Sequence, residues 1–486
     1  MTGLAAGTAR LRRPPGRGPP QPPVAPARRG AGRRRRPSPL PAGAPLSSAA
    51  VADWTGRRLH FIGVGGAGMS GLALVAAALG AEVTGSDRSE SSYLRRLREA
   101  GIEPAIGHDA ANVPAGAEVV VSTAIAPDNP ELAAAEGPVL HRSDLLAEVV
   151  ALRRSIAVAG AHGKTTTSAM IAHALISCGA DPGYLIGGEL RSTGANAGWG
   201  KGDWVVVEAD ESDRSFLKLR PDVAVVTNVE LDHHTTYRSQ HELEEAFAAF
   251  CAQARTTIAW ETAPLEAGLT YGIGSGDLRA EAVELDALGS RFVVEGVEVR
   301  LAVPGEHNVL NALAALAACR EAGIELADAA AALASFTGAG RRFEEHGVTP
   351  SGARVFDDYA HHPTEVRATL EAARGLGACR VVACFQPHLF SRTRELADEF
   401  GRALALADAV VVCDVYPARE DPADFPGVDG YLVAAAAARA ARGRPVWWLP
   451  TLEEAERFLA RELRDGDVLL TLGAGDVHRV AESLTA

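Results

Sequence analysis

Short apolar segments alternate with longer helical segments from about residue 58 to the end of the chain. Residues 59–62 indicate a strand. It is followed by a Gly-rich turn, an apolar helix to about residue 79 and a second strand at 81–84. This order is typical of a strand–helix–strand unit with parallel strands. A further strand at 118–122 and a helix at 144–151 continue the pattern, so we predict a Rossmann-like first domain over residues 56–150.

The alternation continues with strands that are apolar on both faces. Residues 155–159, 204–207 and 223–227 indicate buried strands of a parallel sheet, and a strongly helical, Ala-rich segment covers 308–320. Residues 336–340 are typical of a linker. We therefore predict a central domain over 151–338, built as a P-loop-type ATPase sheet.

The last part of the chain repeats the same alternation. Strands are predicted at 353–356, 380–385, 409–413 and 468–472, and helices at 364–374, 392–406 and 452–463. This pattern indicates a Rossmann-like, doubly wound C-terminal sheet over 339–486. The predicted fold class is therefore α/β with three domains, and a length of 486 residues agrees, because one core rarely organises so long a chain.

The first fifty residues differ from the rest in composition. They contain ten Arg, eleven Pro and no acidic residue. We predict that residues 1–55 are a disordered tail or an over-extended gene start, because this composition cannot bury enough surface to offset its ordering entropy. Contact of the arginines at 33–36 with nucleic acid or membrane is the alternative. No apolar segment follows these arginines, so we expect no export signal and a cytoplasmic location.

The composition of the remaining chain argues against several classes of function. Ten of the 48 basic residues lie in the first fifty, so the rest of the chain carries 38 basic and 61 acidic residues, a formal charge of −23, which argues against nucleic-acid binding. No apolar run reaches the roughly 18 residues of a membrane span. The six cysteines are scattered without zinc-type pairing, as in a reduced cytosolic protein.

The first chemical motif follows the first predicted strand. Residues 63–68 read Gly-Val-Gly-Gly-Ala-Gly, and Asp87 lies nineteen residues after the last glycine. Such glycines let the backbone approach a pyrophosphate, and the acid can accept a ribose hydroxyl. The motif predicts a dinucleotide or UDP-sugar site, with a ligand-free turn as the alternative. The candidate residues are Gly63, Gly65, Gly66, Gly68 and Asp87.

A second glycine turn, at 160–167, follows an apolar strand and opens a helix. The backbone N–H groups of such a loop cradle phosphates, Lys164 can neutralise β- and γ-oxygens, and Thr165 can reach Mg²⁺. Lys164 is one of only three lysines in the chain, so general solubility does not explain it. Val158 stands where the usual phosphate loop has a glycine. The candidate residues are Gly160, Ala161, His162, Gly163, Lys164, Thr165 and Thr166.

Carboxylates collect at the ends of two apolar strands of the central domain. Residues 208–213 contain four, and residues 228–234 read Asn-Val-Glu-Leu-Asp-His-His. Carboxylates at strand ends beside a phosphate loop suit Mg²⁺, although a solvated acidic turn is an alternative. Glu208 and His233 are the candidate metal ligands here.

Further polar residues open helices or follow strands later in the chain. His307 and Asn311 open the Ala-rich helix, where amide side chains suit an adenine edge, although helix capping explains Asn308 nearly as well. Polar segments at 341–344, 357–363 and 386–392 lie at the linker or at strand ends, where doubly wound sheets bind ligands.

Together and in this order, the motifs resemble those of the Mur ligase family. The combination that carries the resemblance is 65–71, 208–213 and 358–363, and the likeness extends from Arg58 to 473–476. It implies that L-alanine is joined to the lactyl carboxylate of UDP-N-acetylmuramate, with ATP and Mg²⁺, through an acyl phosphate, in peptidoglycan precursor synthesis. The N-terminal domain would hold the UDP-sugar and the central domain ATP. A weak homodimer is left open.

The resemblance also implies roles for single residues. Lys164 would contact the γ-phosphate, Thr165 and Glu208 the bridging Mg²⁺, and His233 a second Mg²⁺. Asn311 and His307 would contact adenine, Asp358 the ribose and Arg342 the transferring phosphate. His361, His388 and Arg392 would face the reacting carboxylates and the amino acid.

The chain departs from the family pattern at Ala161, often Thr, and at Leu389, often Arg, which puts a role for position 389 in doubt. Some relatives complete the second metal site with a carbamylated lysine. No lysine follows Lys218, so we predict that this chain does without one.

Three other functions are compatible with part of the pattern. A nicotinamide-dependent oxidoreductase would use residues 63–68 and Asp87, but would leave the Lys164 loop without a task. A nucleotide-gated binding protein would not need the His361, His388 and Arg392 set. A sibling ligase that recycles peptides onto UDP-N-acetylmuramate is the runner-up.

Overall fold

The computed structural model describes residues 54–232, 236–286 and 289–486. The predicted tail up to residue 53 and the candidate metal ligand His233 lie outside these ranges. Among the helices described, none combines the length and apolar character needed to cross a bilayer.

The N-terminal domain is a five-stranded parallel sheet with the order β3-β2-β1-β4-β5. Its elements are β1 Arg58–Ile62, α1 Ala67–Ala78, β2 Glu82–Asp87, α2 Ser92–Glu99, β3 Ala105–Ile106, β4 Glu118–Val121, α3 Pro130–Ala133, β5 Val139–His141 and α4 Arg142–Ala151. The second strand extends beyond the predicted residue 84 to Asp87, because pairing with β1 continues through polar residues that have no apolar signal.

The central domain is a ten-stranded sheet with the order β15-β14-β13-β12-β11-β10-β6-β9-β7-β8. Its elements are β6 Arg154–Ala159, α5 Lys164–Ser177, β7 Gly183–Leu190, β8 Ala195–Trp199, β9 Trp204–Glu208, β10 Val223–Val226, α6 Gln240–Cys251, β11 Thr256–Trp260, β12 Leu269–Ile273, β13 Leu278–Leu285, β14 Ser290–Val294, β15 Val297–Leu301, α7 Glu306–Glu321 and α8 Leu326–Leu333. The predicted parallel centre is confirmed, since β6 pairs in parallel with β9 and β10. Both edges contain antiparallel pairs, at β7–β8 and at β13–β14–β15. Buried and exposed residues alternate in β14 and β15, as in a sheet with one face open to solvent.

The C-terminal domain is a six-stranded sheet with the order β16-β17-β21-β18-β19-β20, and only β16 pairs in the antiparallel sense. Its elements are β16 Glu344–Val348, β17 Arg354–Asp358, α9 Pro363–Arg374, β18 Arg380–Phe385, α10 Phe390–Leu404, β19 Ala409–Val412, α11 Gly430–Ala440, β20 Val446–Trp448, α12 Leu452–Glu462, β21 Asp467–Leu472 and α13 His478–Thr485. The three sheets confirm the predicted three-domain α/β fold.

The apolar cores are divided unequally among the domains. One cluster of buried side chains runs from the N-terminal domain into the central sheet and contains Leu72, Leu185 and Ala197. The two clusters that cover the faces of the C-terminal sheet contain only residues after 342, among those described. The first two domains are therefore joined by apolar packing, whereas the C-terminal domain has cores of its own.

Candidate active site

Three neighbouring cavities contain the predicted motifs. A C-terminal cavity of about 450 Å³ lies between the central and C-terminal domains, and it shares Gly163, Arg342 and Glu365 with a central cavity of about 1140 Å³. The central cavity shares Gly65 and Arg142 with an N-terminal cavity of about 740 Å³. The shared lining makes the three cavities neighbours, so the Gly-rich turn, the Lys164 loop and residues of the C-terminal domain lie along adjoining spaces.

The Gly-rich turn after β1 lines the N-terminal cavity, as do all five residues predicted there: Gly63, Gly65, Gly66, Gly68 and Asp87. The N–H of Gly65 donates to Oδ2 of Asp87 at 2.8 Å, so this carboxylate also holds the turn in place. Helix α1 begins directly after the turn at Ala67 and points its free N–H groups at the cavity, where they suit an anion.

The second turn is held tightly in its phosphate-loop shape. Gly160 and Gly163 have φ of +141° and +81°, and a Cβ at these positions would lie 2.0 Å from Oγ1 of Thr227 and 2.5 Å from Oδ1 of Asn311. The N–H of His162 donates to Oδ1 of Asn228 at 3.0 Å. Because glycine is required by both the backbone and the neighbours, the loop is preformed at the start of α5.

Lys164 lies in the central cavity beside the acidic strand end of β9. Its Nζ donates to O of Gly160 at 2.6 Å and to Oε1 of Glu211 at 3.0 Å. Burial alone would lower the pKa of Lys164, but the carboxylates of Glu211 and Asp210 outweigh it and raise the pKa. The ammonium group is therefore charged and positioned at the loop.

Glu208 and Thr165 place hard oxygen atoms next to the loop. Oγ1 of Thr165 donates to Oε2 of Glu208 at 3.2 Å, and the N–H of Gly187 donates to Oε1 at 2.5 Å. Burial raises the pKa of Glu208. A hydroxyl and a buried carboxylate at this distance fit a divalent cation such as Mg²⁺, whose charge would offset the cost of burying the carboxylate.

The other acids of the same segment are engaged elsewhere. Asp210 accepts from Nη2 of Arg142 at 2.7 Å. Burial works against ionisation of Asp210, but Arg142 and Lys164 hold its pKa well below the usual range. Arg142 begins α4, so this ion pair joins the N-terminal domain to the acidic segment.

The C-terminal cavity brings together His307, Asn311, Arg342 and Asp358, which the sequence analysis assigned to adenosine and phosphate contacts. Burial lowers the pKa of His307 to about 4 and raises that of Asp358 to about 6. Aromatic and apolar side chains complete the wall: Tyr271, Val303, Phe343 and Phe356. An apolar slot with a few polar groups at its rim suits a heteroaromatic base and its sugar.

His361 and His388 lie close together at the ends of β17 and β18, with ring centroids 6.0 Å apart. Nδ1 of His361 donates to O of Tyr359 at 2.9 Å, which leaves Nε2 as a proton acceptor. His361 lines the central cavity, and burial lowers its pKa to about 4. Burial also lowers the pKa of His388 to about 3, so both rings are neutral at pH 7.

Arg392 is buried and engaged on three sides. Its Nε and Nη2 donate to the two carboxylate oxygens of Asp232 at 2.6 and 3.0 Å, and its Nη1 donates to Nδ1 of His388 at 3.1 Å. The guanidinium of Arg392 therefore connects α10 to the segment after β10. Its partner there, Asp232, directly precedes His233 in the sequence.

Several residues that organise the site have no motif of their own in the sequence analysis. Asn196 lay outside every motif, and Glu230 and Asp232 belonged to the predicted carboxylate cluster without a role of their own, because all three meet partners from other domains. Glu365 could have been found, because a glutamate three residues after a capping residue, here His362, is typical of a capping box.

The chain belongs to the Mur ligase family. Residues 58–154 match the description "Mur ligase family, catalytic domain", residues 158–319 the "Mur ligase middle domain" and residues 341–475 the "Mur ligase, glutamate ligase domain". The family resemblance stated from the motifs is thus confirmed.

Its relatives include proteins named UDP-N-acetylmuramate–L-alanine ligase. The one from Rubrobacter xylanophilus is 47% identical over 451 residues, covering 88% of this chain and 99% of the relative. The one from Streptomyces avermitilis is 48% identical over 446 residues, covering 86% and 95%.

Solved structures show the same architecture. The UDP-N-acetylmuramate-alanine ligase MurC of Thermotoga maritima is 31% identical, with a TM-score of 0.77 over 88% of this chain and 98% of that one. A murein peptide ligase of Psychrobacter arcticus is 26% identical, with a TM-score of 0.66 over the same shares.

Proposed function

We propose that this chain is an ATP-dependent ligase that joins L-alanine to the lactyl carboxylate of UDP-N-acetylmuramate. The observation that carries the proposal is the central cavity, which is lined by the Gly-rich turn of the N-terminal domain, the Lys164 loop and His361 of the C-terminal domain. The relatives that bear this activity in their names cover nearly the whole folded chain. ATP and the UDP-sugar place the reaction in the cytoplasm.

In the first step, a carboxylate oxygen of the UDP-sugar attacks the γ-phosphorus of ATP. The bond from that phosphorus to the β-phosphate oxygen breaks, ADP leaves with the electron pair, and an acyl phosphate forms. Lys164 and the loop N–H groups stabilise the charge on the transferring group, because such transfer depends on positioning and electrostatics. Arg342, at the junction of two cavities, can reach the same phosphate from the C-terminal domain.

Mg²⁺ is part of the proposal. Thr165 and Glu208 would hold it, and His233 remains the predicted ligand of a second ion. When bound, the metal supplies charge neutralisation at phosphate oxygens.

In the second step, the amine nitrogen of L-alanine attacks the acyl carbon to give a tetrahedral intermediate, and inorganic phosphate leaves with the bonding electrons. The amine must lose a proton. His361 is neutral and presents Nε2 as an acceptor in the central cavity, so we assign it this proton. The ring of His388 packs edge-on against that of His361, and Arg392 donates to Nδ1 of His388, so we assign these two residues the task of positioning His361.

An amino-acid-dependent phosphate-release assay tests the proposal. UDP-N-acetylmuramate and ATP are supplied with L-alanine, glycine, L-serine or a tripeptide. We expect release with L-alanine at the highest kcat/KM. Release with the tripeptide alone would instead identify the peptide-recycling ligase, and no amino-acid-dependent release would refute both.

A further inference from the structure

The C-terminal domain meets the central domain through polar side chains rather than a shared core. Its buried apolar clusters contain only its own residues, among those described. The polar contacts that cross the boundary near the phosphate loop include Arg392 with Asp232, Thr364 with Glu230, and Glu365 with His162. Polar contacts of this kind can open without exposing a core, so this boundary is where the molecule can open and close.

His162, in the phosphate loop, lies between carboxylates of two domains. Its Nε2 is 3.0 Å from Oε2 of Glu230, which follows β10, and its Nδ1 is 3.3 Å from Oε1 of Glu365, on α9. The ring packs against that of His362, with centroids 4.6 Å apart. Nε2 forms a hydrogen bond with Glu230, whereas Nδ1 lies at ion-pair distance from Glu365 without hydrogen-bond geometry. Two carboxylates on opposite sides favour a ring that carries both protons.

One carboxylate oxygen of Glu365 is held by backbone N–H groups of its own domain, and the other faces the central domain. Its Oε2 accepts from the N–H groups of His361 and His362 at 2.9 and 3.3 Å, as the third residue of α9 in a capping box. Its Oε1 faces His162 and lies 3.8 Å from Nη1 of Arg342. The helix start therefore presents a rigid carboxylate to the phosphate loop and to the arginine at the junction of the cavities.

We infer that Glu365 and His162 are positioning residues that couple closure of the C-terminal domain to the shape and charge of the phosphate loop. In the closed form the carboxylate of Glu365 holds a cationic His162 against the loop that carries Lys164, and it keeps Arg342 beside the same phosphates. In the open form His162 loses this partner. The inference rests on the proposed function only in assuming that the loop binds nucleotide phosphates.

The charge of His162 follows from its surroundings. Burial alone would lower its pKa, but Glu230 and Glu365 outweigh burial and raise the pKa to about 9. The groups facing this cluster are Glu230 after β10, Glu365 and His362 at the start of α9, Arg342 from the linker and His307 from α7. A raised pKa means that the closed form is favoured below about pH 9 and is weakened as the pH rises through that value.

A metal ion is the competing occupant of the cluster. Ligand atoms of His162, Glu230 and His362 lie within 4.8 Å of one another. Both nitrogens of His162 face carboxylates, however, and Nδ1 of His362 accepts from the N–H of Thr364 at 3.3 Å, so the observed geometry is that of an ion pair and a helix cap.

The test compares Glu365→Gln, His162→Gln and the double variant with Glu371→Gln, an exposed glutamate on the same helix. Gln at 365 keeps an oxygen for the helix cap, so melting temperature should change little. We expect each single variant to weaken ATP binding, measured by calorimetry, about tenfold or more, since a charged hydrogen bond is lost. The double variant should bind ATP no more weakly than the single variants do. The ATP affinity of Glu371→Gln should equal that of the parent.

The pH profile gives a second readout that a merely structural role would not change. In the parent, kcat/KM for ATP should fall as the pH rises through about 9, and in Glu365→Gln this fall should move to lower pH. Unchanged ATP affinity and profile in both singles, additive losses in the double variant, or stoichiometric bound zinc in the purified protein would overturn the inference. Because calorimetry needs no turnover, absence of L-alanine-dependent phosphate release would refute the proposed function without affecting this test.

Discussion

Lys164 is one of three lysines in the chain, and its side chain provides the ammonium charge at the phosphate loop. The loop N–H groups bind phosphates through partial charges, whereas the ammonium group supplies a full charge that Glu211 and Asp210 keep in place. Removing it leaves the loop shape intact, because glycines and the Thr227 and Asn311 contacts set that shape.

We therefore expect Lys164→Ala to lower kcat by about 10²–10³, the scale for loss of one preorganised donor. Steady-state phosphate release measures the effect. Lys201→Ala is the matched control, since Lys201 is exposed and lies outside the loop. Near-normal turnover of Lys164→Ala would refute the assignment of this loop.

At the scale of elements, His362 caps the start of α9 and is also a group that can titrate. Nδ1 of His362 caps the helix by accepting from the N–H of Thr364 at 3.3 Å, which requires an unprotonated nitrogen. Burial, assisted by His162, lowers its pKa to about 4. The unfolded chain, with a histidine pKa near 6.5, binds this proton first, so the contribution to stability is present above about pH 6.5 and is lost as the pH falls toward 4.

His362→Asn should separate the two roles, because asparagine caps helices well and does not titrate. We expect a melting temperature close to that of the parent at pH 7.5 and a shallower loss of stability between pH 6.5 and 4. Thermal unfolding across this range measures it. His361 and His388 also have lowered pKa values, so some acid sensitivity should remain. An identical slope in parent and variant would contradict the role of His362.

The β7–β8 hairpin positions the Gly-rich turn from the neighbouring domain. Nδ2 of Asn196, in β8, donates to O of Ala67 at 2.7 Å and to Oγ of Ser70 at 3.1 Å, and the residue is fully buried. Asn196→Ala should therefore cost about 1–3 kcal/mol of stability and raise KM for the UDP-sugar more than KM for ATP. Equal changes in both KM values would indicate general destabilisation instead.

Some elements of the fold could be predicted from the sequence and others could not. The strands β6 and β10 and both glycine turns were predictable, because apolar runs and adjacent glycines are local signals. The hairpin was not, since β7 and β8 are rich in glycine and lack a clear alternation. Asn196 contacts a residue 129 positions away and Arg392 one 160 positions away, so their partners depend on how domains pack. The roles assigned to the predicted site residues remain predictions.

At the scale of the whole molecule, the division of cores defines which part can move. The N-terminal and central domains share an apolar cluster, so the Gly-rich turn and the Lys164 loop form one unit. The C-terminal domain carries His361 and Arg342 to that unit through ion pairs and hydrogen bonds. We therefore expect substrates to enter when these polar contacts open, and the reaction centre to be complete only when they form.

The scarcity of lysine across the chain leads to the last prediction. A carbamylated lysine needs a neutral amine near the second metal, and arginine cannot replace it because the guanidinium stays protonated. Helix α6 contains no lysine, Lys164 occupies the loop, and Lys218 pairs with Asp144 at 2.6 Å.

Removal of CO₂ and bicarbonate from the assay should accordingly leave activity unchanged. Because Mg²⁺ commonly keeps several waters and needs few protein ligands, we predict that His233 with water and substrate oxygens holds the second ion. His233→Ala should then raise the Mg²⁺ concentration needed for half-maximal activity. Activity that falls without bicarbonate and returns when it is added, or an unchanged Mg²⁺ titration in His233→Ala, would show that another group completes the site.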